Sequence, residues 1–296
     1  MFEQARHGVS REVSGTAGPL TMLREAIGEA LSRRRLVRYL VAADMKKRGS
    51  DTLLGNLWWI LDPLLQMTVY VIFVTIISNR KQIDYPLFIF AAILPWKWYQ
   101  AVVTDACSAV VSQAGLIRQI AFPKIVLPIA VTTANTVGFV WGLIPLFGLM
   151  LFYVDRITPM LLWIPVIAAV QYVFSIASAI FFAAANVFFR DLGNVVGHAL
   201  RLWWFLSPGL YAIDHLDQDV GFVRDHHWVQ VVANLNPFAV LFTAYRNVIY
   251  GGSDGLTPPL PPDLLSLAIL LVVSVGLIGL ATIVFKRAEP EFAKVL

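Results

Sequence analysis

The sequence is short of charge and almost without cysteine. Charged residues fill 14% of its 296 positions, against roughly 25% in a soluble globular domain. Cys107 is the single cysteine, which excludes an internal disulfide, a cysteine-based metal site and a redox pair. The order G-x-x-x-x-G-K-[ST] does not occur, so this chain has no phosphate-cradling loop of the kind that binds ATP. No internal repeat is visible, which weighs against transporters built from duplicated halves. Residues 1–52 are polar and basic, without the apolar core of a signal peptide.

Apolar residues take the place of the missing charge, at 58% of the chain. A membrane-crossing helix needs about 20 mostly apolar residues, and six runs are read as spans. They are 53–78, 85–106, 125–154, 157–189, 192–213 and 264–285. Asp62 interrupts the first, Lys97 and Asp105 the second, and His198 and Arg201 the fifth. Of the 23 Lys and Arg residues, 17 fall in 1–52, 107–124, 190–201 and the tail. Basic residues collect on the cytoplasmic side, so both termini are expected there. The expected fold is an all-α membrane protein: a cytoplasmic segment 1–52, six transmembrane helices over 53–285, and a cytoplasmic tail 286–296.

Residues 20–48 repeat apolar positions at helical spacing (Leu23, Ile27, Leu31, Leu36, Tyr39, Leu40, Ala43) among Arg33, Arg34, Arg35, Arg38, Lys46, Lys47 and Arg48. This predicts an N-terminal amphipathic helix lying in the membrane interface. In "GNLWWILDPLLQ" a kinked helix entering near Leu57 fits better than a restart at Asp62-Pro63, which leaves too little length to cross. Trp58 and Trp59 then sit in the interfacial aromatic belt, or line a lateral entrance for an amphiphilic substrate. "NLNPFAVLFTAYRNVIYGG" is too short to cross and return, and reads as a short interfacial or re-entrant helix between spans five and six. Upstream of it, Asp214, His215, Asp217, Asp219, Asp225, His226 and His227 match no metal-ligand spacing, so no metal is expected and a wet acidic loop explains them.

Ionisable residues inside a span are costly and mark function by default. Lys97 in "LPWKWYQ" is the deepest, flanked by Trp96, Trp98 and Tyr99. Aromatic faces beside a polar group suit a sugar, whose C–H face packs on rings while its hydroxyls seek partners. Trp96 and Tyr99 share one helix face and Trp98 lies on another. The Trp96–Tyr99 face is expected to turn toward a substrate path, with Lys97 reaching Asp105 or a water-filled space. Trp203 and Trp204 add aromatics on span five.

"SQAGLIRQIAFPKIVLP" follows span two on the cytoplasmic side. Leu116, Ile117, Ile120 and Phe122 cluster on one side, Gly115 and Arg118 lie among them, and Pro123 stops the helix before span three. A plain connection needs no such cluster.

These stretches carry a resemblance. "RYLVAADMKKRGSDTLLGNLWWILDPLL", "YPLFIFAAILPWKWYQ", "SQAGLIRQIAFPKIVLP", "VFFRDLGNVVGHALRLWWFLSPGLY", "NPFAVLFTAYRNVIYGG" and "FKRAEPEFAKVL" occur in the order seen in permease subunits of bacterial polysaccharide ABC exporters of the ABC-2 class. The chain resembles that family over roughly 35–296. The resemblance implies a homodimer in the cytoplasmic (inner) membrane with two copies of a separate ATPase subunit below it. ATP and Mg would bind that partner, with no cofactor on this chain. A lipid-linked polysaccharide would be the substrate, membrane lipid a neighbour, and nucleic acid no partner. It further implies that the segment of Gly115, Leu116, Ile117, Arg118, Ile120, Phe122 and Pro123 couples to the ATPase. Trp58, Trp59, Trp96, Lys97, Tyr99, Trp203 and Trp204 are the pathway candidates, and no residue is read as catalytic. The competing classes are an ion-coupled secondary transporter and a membrane glycosyl- or acyltransferase using His226 or His227 with Asp225.

Overall fold

The computed structural model describes residues 18–50, 53–77, 83–212 and 235–296. Every regular element among them is helical. Five of the helices are long and apolar enough to cross a membrane. The acidic stretch 214–227 lies outside the described residues.

The expected amphipathic helix is two helices, α1 (Pro19–Ser32) and α2 (Arg34–Ser50), broken at Arg33. Met22 and Ala26 of α1 are buried while Leu20, Ile27 and Leu31 are exposed. A one-turn 3-10 segment, Gly55–Leu57, leads into α3 (Trp58–Val71), which runs through Pro63 and ends in a π-helical stretch, Ile72–Ile77. The restart at Asp62-Pro63 is therefore not used.

Helix α4 (Tyr85–Ala109) is the central post, packed by α3, α6 (Val126–Met150), α7 (Ile164–Phe188), α8 (Leu192–Leu206) and α9 (Pro237–Ile249). A six-residue helix, α5 (Ala114–Gln119), and an extended Ile120 follow it. Then come α6 (Val126–Met150) and α7 (Ile164–Phe188), the latter entered through a 3-10 turn, Pro159–Trp163. The C-terminal helix, α10 (Leu264–Val295), packs most extensively on α7. The ends of α4, α6, α7 and α10 meet near α1 and α5 in a second apolar cluster that includes Ala26, Ile117, Ile125, Val187, Phe285 and Phe292. Arg118, Lys124 and Lys286 lie at this end, called here the basic end.

The fifth expected span is shorter than the sequence reading. Helix α8 (Leu192–Leu206) has 15 residues, about 22 Å at 1.5 Å per residue, below the roughly 30 Å of a hydrocarbon core. Pro208 and Gly209 stop it, because proline cannot continue the hydrogen-bond ladder. Non-helical carbonyls at membrane depth must find donors within the protein, and Arg246 supplies them. It donates to the carbonyls of Pro208 (2.6 Å), Gly209 (2.5 Å) and Tyr211 (3.0 Å), with its guanidinium 3.7 Å from the Phe88 ring centre. Arg246 belongs to α9 (Pro237–Ile249). That helix starts with the Asn236 side chain capping the Phe238 amide and bonded to Ser207 Oγ (2.8 Å). Its first ring, Phe238, sits 4.8 Å from Trp96, and its last turn reaches Phe88. So α9 covers only the stretch of α4 farthest from the basic end.

At that far end Arg156 gathers the turns. It donates to the carbonyls of Tyr250 (2.8 Å), Thr257 (3.0 Å) and Gly255 and pairs with Asp84 (3.3 Å). Gly251 has φ of 103° there, and a Cβ on it would meet the Thr257 carbonyl at 2.2 Å.

Candidate functional site

Two of the clefts along α4 lie on either side of one ion pair. The first, about 440 Å³, lies between α2, α3, α4 and α6 and is lined by Arg48, Trp58, Trp59, Trp98, Asp105 and Asn135, among others. The second, about 420 Å³, lies between α3, α4 and α8 and is lined by Gln66, Tyr70, Trp96, Arg201, Trp204 and Phe205, among others. Asp62, Lys97 and Gln100 line both. Lys97 Nζ stands 2.6 Å from Asp62 Oδ2 across the boundary. Lys97 is expected to reach Asp105 or a water-filled space; it lines both clefts, and its ion partner is Asp62 of α3 rather than Asp105.

Asp105 has a partner of its own. Arg48 Nη2 donates to Asp105 Oδ2 (2.6 Å), Nη1 to Asn135 Oδ1 (3.2 Å) and Nε to Asp44 Oδ2 (2.8 Å). Asn135 Nδ2 returns to Asp105 Oδ2 at 2.9 Å. Burial works against the Arg48 charge, but Asp105 and Asp44 outweigh it and hold its pKa above the ordinary arginine value. Nothing in the sequence spacing links Arg48 to Asn135, 87 residues apart; both were missed as cleft residues.

The aromatic residues divide. Trp58 is 44% exposed at the mouth of the first cleft. Trp59 packs beside Gly138 of α6, where a Cβ would lie 3.9 Å from its ring. Trp96 and Tyr99 were expected on the substrate face, yet each is only 2% exposed. Trp96 sits among Tyr99, Trp203, Trp204, Phe238 and Phe242 at centroid distances of 4.8–6.4 Å. The reason is α9: its ring pair Phe238 and Phe242 takes the face of α4 that the sequence left open. Only an edge of Trp96 reaches the second cleft. Tyr99 lines neither cleft, and Trp203 is half-buried in the same ring cluster. Trp98 stacks on Phe139 at 4.4 Å. Among the described residues, the buried indole nitrogens of Trp98 and Trp204 and Oε1 of Gln66 have no hydrogen-bond partner. All three belong to cleft-lining residues, but the atoms themselves are buried.

The segment after α4 also divides. Ile117 is 7% exposed, inside the second apolar cluster, with Phe122 packed against it. Ile120 is 55% exposed, and Gly115 and Arg118 are exposed beside it. Leu116 and Pro123 are half-buried. Arg118 donates to the Leu296 carbonyl. The expected apolar patch is therefore two-sided: Ile117 and Phe122 hold the segment to the bundle, and Ile120 faces out.

Five helices of membrane-crossing length and apolarity around polar, aromatic-walled clefts fit a multi-pass membrane transport subunit. No family model matches the chain. It is 32% identical over 268 residues to the O-antigen export system permease protein RfbA of Myxococcus xanthus, covering 90% of this chain and 98% of that protein. A protein of the same description from Klebsiella pneumoniae is 26% identical over 256 residues, covering 86% of this chain and 92% of that protein. The chain belongs to the family of O-antigen export system permeases. It is a permease subunit of a polysaccharide exporter, not an enzyme and not an ion-coupled transporter.

Proposed function

We propose that this chain is the membrane half of an ATP-driven exporter of a lipid-linked, O-antigen-type polysaccharide. Two copies form the channel, and each docks one ATPase subunit that binds ATP and Mg. The basic end faces the cytoplasm, with both termini there, and α9 is re-entrant from the outer side beside a sixth, partly extended span at α8. Gly115, Arg118 and Ile120 touch the ATPase, while Ile117 and Phe122 anchor that contact surface from behind.

The observation that carries the reading is the likeness to the Myxococcus permease over 98% of its length. The clefts support it: Trp58, Lys97, Trp204 and the edge of Trp96 present rings and polar groups together, the combination a sugar needs. Purification from its native host tests the reading, followed by mass spectrometry of co-purifying protein and lipid. An ATPase subunit and a polyprenyl-linked glycan are expected; their joint absence from an intact, membrane-extracted protein refutes it.

A further inference from the structure

The basic end holds an ion network that the transport reading leaves unused. Glu289 of α10 is its hub, with a side chain only 13% exposed. Glu289 Oε1 accepts from the Lys124 backbone amide at 2.8 Å, and Lys124 Nζ stands 3.9 Å from the same oxygen. Glu289 Oε2 lies 3.0 Å from Lys286 Nζ. Lys286 in turn pairs with Glu29 of α1. A single chain of charges thus runs from the α5–α6 connection, through the C-terminal helix, to the N-terminal interfacial helix.

Two further contacts follow the same route. Arg118 of α5 bonds the Leu296 carbonyl. Phe292 and Phe285 of α10 share the apolar cluster with Ile117 of α5 and Ala26 of α1. The C-terminal part of α10 therefore touches α1 near Lys286 and α5 at Leu296. Charge-assisted hydrogen bonds in a largely buried setting are short, directional and about twice as strong as neutral ones, so the linkage holds geometry rather than merely neutralising charge.

We infer that Glu289 is a positioning residue that ties the ATPase-docking segment to the interfacial helix α1, so that displacement of α5 is passed to α1 through α10. The inference rests on the docking role proposed above. It gives α1 a task beyond anchoring: Met22 and Ala26 hold it to the bundle, while its exposed Leu20, Ile27 and Leu31 face outward, so moving it moves an apolar surface against lipid at the basic end.

The test uses the full permease–ATPase complex in native membranes and in liposomes. Glu289→Gln keeps an acceptor for the Lys124 amide but removes the charge facing Lys286. Glu29→Gln cuts only the α1 link, at a side chain 33% exposed. Both variants should retain ATPase co-purification and hydrolysis. Glycan exported per ATP hydrolysed should fall about tenfold, the change expected when a hydrogen bond to a charged group is lost. Glu289→Asp should recover part of the ratio. An unchanged ratio in assembled Glu29→Gln complexes overturns the inference even if Glu289→Gln fails to fold. Loss of the ATPase from either variant also overturns it, because the network would then shape the docking surface itself. A wild-type chain that binds no ATPase sinks the docking role instead.

Discussion

Trp96 and Lys97 are adjacent in sequence and should fail in opposite ways. Trp96→Ala removes a ring 2% exposed and surrounded by five aromatic neighbours. A buried tryptophan truncated to alanine costs about 3–5 kcal/mol, because the neighbours collapse only partly into the space. The loss is one of packing contacts, so it holds in a bilayer, where burial from water contributes little. The thermal midpoint in detergent should drop by on the order of 10 °C. Lys97 differs. Its side chain is 28% exposed in the clefts and its partner Asp62 is 57% exposed, so the pair is worth at most about 1 kcal/mol to stability. Lys97→Met should leave the midpoint within a few degrees and sharply reduce glycan export. Both are measured in one experiment: thermal unfolding of purified protein beside export in a strain lacking the wild-type permease. A Trp96→Ala protein that melts normally yet exports nothing would refute the packing assignment. A Lys97→Met protein that fails to fold would show the ion pair to be a structural tie.

Three further outcomes follow from the same geometry. Ile120→Asp should abolish ATPase co-purification without lowering abundance, whereas Ile117→Asp, at 7% exposure, should lower abundance first; a pull-down with a membrane-fraction blot separates them. Single cysteines at Leu65 and Val69, one turn apart on the exposed face of α3, should crosslink between two copies in a Cys107→Ser background, and non-reducing gels read the result. Arg246→Met should strand the three carbonyls of Pro208, Gly209 and Tyr211, each costing about 1–3 kcal/mol when buried without a donor. The variant should be degraded, and near-normal abundance would show that water reaches those carbonyls.

The sequence made the long elements legible because membrane spans are read from length and apolarity alone. Four long runs reappear as α4, α6, α7 and α10, and α3 runs through Pro63 from a start at Trp58. Side-chain facing was harder to read. The face of Trp96 and Tyr99 is decided by Phe238 and Phe242, which arrive from more than a hundred residues away on a helix too short to announce its depth. The same is true of Lys97: its distance from Asp62 depends on how α3 packs against α4, which no spacing encodes. Ile117 and Ile120 share an apolar pattern, but the chain becomes extended at Ile120. Helical periodicity therefore placed on one face two side chains that point apart.

The weakly held helix, α3, borders both clefts. Only 11% of the apolar window of α3 is buried, against 78% for α4. Its direct side-chain charge tie to α4 is Asp62–Lys97, at the boundary between the clefts. A helix that buries little of itself can shift at low cost, since few packed contacts are lost, while α4 is fixed by neighbours on every side. Motion of α3 would widen the first cleft toward the interfacial helices or the second toward α8, and in either case the ion pair must lengthen. The polar residues that line these clefts are therefore placed where the bundle is easiest to open, and the exposed face of α3 is the surface that a second copy would have to cover.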